Sequence, residues 1–435
     1  MKSNFPGLIL FCFSLLVFAY GYGVLSYRNN LFPIPLIQHA MEGAEELLQV
    51  TKTKVPWYYT ESDRKEKSIV YNPDAIEPGL TLVNGMGADR ELSTMVVNQQ
   101  GQVVHSWDID WFDIWPDATH LSSNPKSKPG GHILGIMVMP DGDLVFSFEK
   151  LGLVRLDICG NVVWRLPYRT HHSLYLDENN VFWVPGQITR TEALENLPNY
   201  EPPFEDFTIL RVSQDGEVIE EMSVFDILRN NGLNGLLYLS TLQGRVTTVT
   251  GDTLHLNDVK TFPRVLEEGV FKHGDIMISL RNINAVMVIN PDDLKLRFMT
   301  IGTILRQHDP DFIDGNTISV FDNNNLAPDN DGHYSKIVTI SALDGSVSEY
   351  YSGSDEKPFF TDIMGKHQLL PSGNVLISES RKGRAFEIDS DGEIVWEYFN
   401  LLGNGYVSLL NEAQRLPPEY NEEFFKSRSS ACRRS

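Results

Sequence analysis

The 435-residue sequence predicts an all-β fold, a six-bladed β-propeller carrying an N-terminal transmembrane helix. Three observations predict it. Short β-branched and aromatic runs alternate with Asp-Gly, Ser-Gly and Asn-Gly turns, a unit of four such runs recurs along the chain, and a long uncharged segment precedes them all.

That segment, residues 5–25, reads FPGLILFCFSLLVFAYGYGVL, with Lys2 before it and Arg28 after it. A run of about 20 apolar residues is the length that spans a bilayer. A cleaved signal peptide would have a shorter apolar core ending in small residues, which Ala19-Tyr20-Gly21 matches poorly, so the run reads as a retained anchor. Lys2 and the terminal amine favour a cytoplasmic N-terminus and a body on the periplasmic or extracytoplasmic side. A short helix is expected near residues 35–50, then a polar linker. The predicted organisation is an anchor at 1–28, helix and linker at 29–78, a propeller at 79–420 and a basic tail at 421–435.

The clearest repeat, residues 366–400, divides into four strands with turns at Ser372-Gly373, Lys382-Gly383 and Asp391-Gly392. Four strands of this length make one propeller blade. The same order recurs over residues 131–168, with turns at Asp141-Gly142 and Cys159-Gly160. Less regular copies begin at His172, His255 and His308, and another runs from about Leu80 to Trp107, giving six. A single blade is too thin to bury both faces, so neighbours must stack, and closing the ring hides most strand edges. The long connections at 108–131 and 185–206 either cover one mouth of the channel or pad the rim.

A formal net charge of -22 argues against nucleic acid as a partner, because binding phosphates needs basic patches. Cys12, Cys159 and Cys432 fall in the apolar run, a turn and the tail, and suggest neither a disulfide framework nor a CxxC metal pair. The tail, KSRSSACRRS, reads as a disordered end. Asp329-Asn330-Asp331-Gly332 and the acidic DIDWFDIW run read as turn chemistry rather than calcium loops.

Five units open with histidine before the first strand: His132, His172, His255, His308 and His367. The first strand of a blade lines the axis, so these residues are expected to converge on one mouth of the channel. A ring of imidazoles suits a metal site, or catalysis at an anionic centre with one imidazole as nucleophile and another as acid. Arg281, in ISLRN, favours the second, because a guanidinium repels a dication and matches the oxygens of a sulfate or phosphate ester. Two rival readings are a non-catalytic propeller that binds a ligand or protein, and a histidine-bound metal hydrolase.

At HHSLYLDENN (His171), HLNDV (His255), ISLRN (Arg281), QHDPDFIDGNTISVFDN (His308), KHQLLPSGNVLIS (His367) and EAQRLPPEY (Glu412), the sequence resembles the bacterial arylsulfate sulfotransferase family. The resemblance covers most of residues 80–420. It implies a six-bladed propeller that moves a sulfuryl group from an aryl sulfate donor to a phenolic acceptor without an adenylyl sulfate cofactor. The chain has no GxxxxGK[ST] or GxGxxG phosphate motif, and no cofactor is expected. The family's sulfated histidine falls on His308, and its other channel residues fall on His172, His255 and Arg281. His367, Asn257 and His171 would contact the substrate. About eight residues around 267–273 lengthen the stretch between His255 and Arg281, and the family's disulfide-forming cysteine pair is missing.

Overall fold

The last strand of the chain completes the first blade. In the computed structural model, which describes residues 5–28, 32, 55–241, 249–326, 333–430 and 432, Leu410–Arg415 pairs antiparallel with Thr81–Met86. Leu92–Val97 and Val103–Trp107 follow outward. Five further sheets run in chain order, with inner strands Ile133–Val138, Tyr175–Leu176, Leu256–Thr261, His308–Asp314 and Lys366–Leu369. The ring is therefore a six-bladed propeller. The expected helix at 35–50 and the turn at 329–332 lie outside the described residues.

The chain divides into two units, Met1–Trp57 and Tyr58–Ser435. In the first, Phe5–Arg28 is one helix of 24 residues, about 36 Å at the helical rise, and its stretch Ile9–Tyr27 is long and apolar enough to cross a membrane or to serve as a signal sequence. The second begins well before residue 79. Tyr59–Glu61 pairs with Tyr406–Ser408, and Ser68–Val70 adds a fifth, outer strand to the sixth blade. Glu77 then receives the backbone N–H of Ser372, while its own N–H donates to Glu387 Oε1. The predicted linker is thus largely part of the propeller. Its β-branched residues fell below the length of a recognisable strand.

The C-terminus corrects two further expectations. Residues Glu422–Ser429 form a helix whose Asn421 side chain accepts from the N–H of Phe424, and Phe425 is fully buried against His105 and Trp107. Cys432 forms a disulfide with Cys159, 273 residues away. The tail is therefore a docked, covalently fastened element. Its basic composition concealed one apolar anchor, and no local pattern links cysteines so far apart in sequence.

The two long connections also resolve. In 108–131, Trp111, Ile114 and Trp115 are buried in the cluster shared by the first two blades, so this segment pads the rim. Most of 185–206 is a hairpin, in which Phe182–Arg190 pairs with Tyr200–Val212. Its apolar face packs with the helix Val224–Asn230 beside the inner strand of the fourth blade.

Removing residues 1–57 should leave a folded propeller by circular dichroism. Removing 1–78 should lower the melting temperature by about 5 °C or more, because two strands and the Glu77 contacts go with it. Cys432→Ser should cost about 2–5 kcal/mol in denaturant unfolding without changing the native spectrum.

Candidate functional site

Each inner strand begins at the same end of the ring, and several begin with distorted backbone. His172, His255, Asp309 and Met364 have φ of 60°, 56°, 48° and 54°, in the left-handed region that disfavours side-chain-bearing residues. Register shifts break the ladders between Leu134 and Ile136, Leu256 and Asp258, and His308 and Asp311. Bulges of this kind re-aim side chains. At Gly135 (φ 67°) a Cβ would lie 2.4 Å from the carbonyl oxygen of His172, so only glycine lets the second and third blades meet there.

The result is a narrow axial cavity lined by His172, Asn257, Asp258, His308, Lys366 and Glu412 among others. His172 and His308 stack across it, with ring centroids 6.0 Å apart and planes inclined by 26°. His172 Nε2 lies 3.3 Å from His255 Nε2, and His172 Nδ1 lies 2.7 Å from His171 Nδ1. His255 Nδ1 sits 2.5 Å from the carboxylate of Asp252.

His308 has one engaged nitrogen. Its Nδ1 contacts Asn323 Oδ1 at 2.7 Å, and the Asn323 amide is fixed by donating to the carbonyls of Thr361 and Met364. An amide oxygen only accepts, so Nδ1 carries the proton and Nε2 carries the lone pair. Nε2 is buried and has no hydrogen-bond partner among the described residues. Burial, with Arg281 second, lowers the His308 pKa to about 3, so the ring is neutral at physiological pH. Burial likewise pulls His171, His172 and His255 down.

Arg281 follows strand Ile276–Leu280, and its charge reaches His172, His255 and His308. Among the described residues no carboxylate lies within ion-pair distance of it; its hydrogen bonds go to Asn282 Oδ1, 3.3 Å away. Burial and Arg306 lower its pKa to about 10, which leaves it charged. The extra residues near 267–273 do not disturb it. Leu256 pairs with Leu280 at the cavity end, while the insertion packs at the opposite end, where Phe271 N–H donates to Gly315.

Of the sequence-predicted residues, His172, His255, His308 and Arg281 come together, with His171 behind His172 and Asn257 in the cavity wall. His367 and His132 do not join them. His367 is one place along a strand from the cavity-lining Lys366 and so points to the other face, where its nitrogens meet Ser319 Oγ (2.8 Å) and Asp309 Oδ2 (3.2 Å). His132 packs edge-on against Tyr58.

Sequence reasoning missed a buried ionic layer beneath the histidines. Asp309 Oδ1 receives Lys260 (3.0 Å) and Lys366 (3.1 Å), and Lys260 also meets Asp311 at 2.5 Å. The lysines hold Asp309 well below the carboxylate range, whereas burial raises Asp258 to about 6 and Glu412 upward. Asp309, Asp311 and His367 are near enough to ligate a cation, but two ammonium groups already neutralise those carboxylates. The available signal was charge inside the inner strands of the fourth, fifth and sixth blades, in NDVK, HDPD and KH, where an apolar face is expected.

His308 takes up no second ring proton in the folded protein until about pH 3 but does so near 6.5 when unfolded. Between these values the unfolded state holds more protons, so this contribution to stability falls as pH drops through 6.5. His308→Asn should therefore flatten the fall in unfolding free energy below pH 6.5 by up to about 1.4 kcal/mol per pH unit, measured by denaturant titration.

A family model described as Arylsulfotransferase (ASST) matches residues 135–400. No curated protein matches the chain. Among solved structures it is similar to a protein of unknown function from Bacteroides caccae (14% identity, 77% of this chain and 98% of that one, TM-score 0.46). It is also similar to a streptogramin B lyase (10%, 80% and 97%, 0.39) and to virginiamycin B lyase from Staphylococcus aureus (13%, 69% and 89%, 0.36). The family match spans more than half of the sequence and contains His172, His255, Arg281 and His308, and the chain belongs to the arylsulfotransferase (ASST) family.

Proposed function

We propose that the protein is an arylsulfotransferase that carries a sulfuryl group on His308 between a phenolic sulfate donor and a phenolic acceptor. The observation that carries this reading is the buried, neutral Nε2 of His308, without a hydrogen-bond partner among the described residues, within the field of Arg281, which no described carboxylate meets at ion-pair distance. A neutral imidazole is a nucleophile, and an unpaired guanidinium supplies two parallel donors for sulfuryl oxygens.

In the first half-reaction Nε2 attacks sulfur in line, the N–S bond forms, and the S–O bond to the phenol breaks. The departing phenolate takes a proton. In the second, the acceptor hydroxyl oxygen attacks sulfur, the N–S bond breaks, and the hydroxyl proton passes to a base. Asn323 supports both steps by keeping the His308 proton on Nδ1. Arg281 holds the oxygens on which charge accumulates.

The reading extends to location. A disulfide between Cys159 and Cys432 suits an oxidising compartment, which supports a propeller on the periplasmic or extracytoplasmic side, attached through helix Phe5–Arg28.

Incubation with a chromogenic aryl sulfate should release phenolate faster when a phenol is added, and a chelator should leave the rate unchanged. Loss of activity on chelation and recovery with zinc would favour the metal-hydrolase reading. His308→Asn should lower turnover by about 10³-fold or more with an unaltered fold, and Arg281→Lys by about 10²-fold. Mass spectrometry of protein quenched with donor alone should show a sulfuryl adduct on the His308 peptide.

A further inference from the structure

The first and fourth blades stand opposite each other in the ring, and their inner strands carry the same device. In Leu256–Thr261 and Leu410–Arg415 an asparagine is followed by an acid, Asn257-Asp258 and Asn411-Glu412, and a register shift falls at each asparagine. Strand alternation alone would send the two neighbours to opposite faces. The bulges let both line the axial cavity, and all four residues are between 1% and 8% exposed.

The amide ends are engaged in the same way on both sides. Asn257 Nδ2 donates to the carbonyl of Gln307 and Asn411 Nδ2 to that of Ile133, each at 2.8 Å and each where the inner strand of the next blade begins. These bonds fix the amides with their Oδ1 atoms left over as acceptors, and neither Oδ1 has a hydrogen-bond partner among the described residues. The same holds for both carboxylate oxygens of Asp258 and for Glu412 Oε2. Buried acceptors thus reach one cavity from both sides of the axis. Charge points the same way. Lys260 and Lys366 are bonded to Asp309 and Asp311, and Lys366 comes no nearer to Asp258 than 3.6 Å. Asp258, Asp309, Asp311 and Glu412 therefore outnumber the two ammonium groups that act on them, and a buried excess of negative charge is costly. A water molecule offers hydrogens but no charge, whereas a metal cation satisfies oxygen acceptors and charge together.

We propose that the pairs Asn257-Asp258 and Asn411-Glu412 form a binding site for an alkali metal cation, sodium or potassium, in the axial cavity beside His308. Carboxylate and amide oxygens are hard ligands, suited to such an ion and not to zinc or copper. The single charge follows from the neighbours: the fields of Lys366 and Arg281 reach this cavity and oppose a dication. Burial makes both Asp258 and Glu412 hold a proton more readily than usual, so a proton on one of them balances the charge that the ion leaves. Chelators of divalent metals do not take up alkali ions, so the site is compatible with activity in a chelator. The inference stands apart from the sulfotransferase reading.

The test is thermal unfolding of the full chain in detergent, with choline chloride replaced stepwise by sodium or potassium chloride at constant ionic strength, so that screening is unchanged. The melting temperature should rise saturably by about 2 °C or more with sodium or potassium, and the larger rise identifies the ion. Asp258→Asn and Glu412→Gln should each abolish most of that rise. Equal melting temperatures in all three salts, or a full rise retained in either variant, would overturn the site. A larger rise with micromolar calcium chloride would overturn the assignment to a monovalent ion. If the variants do not fold, crystals of the wild-type protein soaked in thallium(I) decide the matter: an anomalous peak among Asn257, Asp258, Asn411 and Glu412 is expected, and no peak there would overturn the proposal. Neither measurement needs a substrate, so failure here is distinguishable from failure of the sulfotransferase reading.

Discussion

Closure of the ring by residues 410–415 is the constraint on which the rest of the molecule depends. The strand supplies the inner edge of the first blade, and it carries Asn411 and Glu412 into the cavity wall. Its end is secured by Arg415, nearly fully buried, which pairs with Glu387 at 2.9 Å and lies over the ring of Trp396. Arg415 therefore joins the first blade to the sixth. A buried arginine loses its hydration, and the pair is favourable only because Thr81, Glu77 and Glu387 together satisfy the guanidinium. With the ring shut, the inner strands are held close enough for residues from all six blades to share one small cavity.

Inside that cavity, desolvation sets the chemistry. The imidazoles are pushed toward neutrality by burial, and Arg281 adds to the effect. The same burial would strand Lys260 and Lys366 if Asp309 and Asp311 were not beside them. Two layers thus meet at consecutive residues, His308 and Asp309. The bulge between them lets one side chain face the cavity while the other binds the lysines. The ionic layer is in this sense the foundation of His308's placement.

Most of the fold was legible because propeller strands are local patterns: turn pairs such as Ser372-Gly373 and Asp391-Gly392 mark four-strand units without reference to anything distant. What escaped was non-local. Ser68–Val70 is three residues long and is a strand only because Trp396–Tyr398 lies beside it. The Cys159–Cys432 link is invisible until both chain segments are in place. At the site, repetition identified the histidines at 172, 255 and 308, but it also suggested equivalence for His367, which one step of strand alternation turns away from the cavity. Asn323 and Asp252, which hold Nδ1 of His308 and of His255, come from strand ends and turns where such residues are commonplace.

The closing strand also has a consequence for biosynthesis. Arg415 bonds to Thr81 across 334 residues, so the first three strands of the first blade emerge long before the fourth. At a synthesis rate of about 5–20 residues per second, that blade waits for tens of seconds with an unpaired edge. An open edge of this kind recruits other strands.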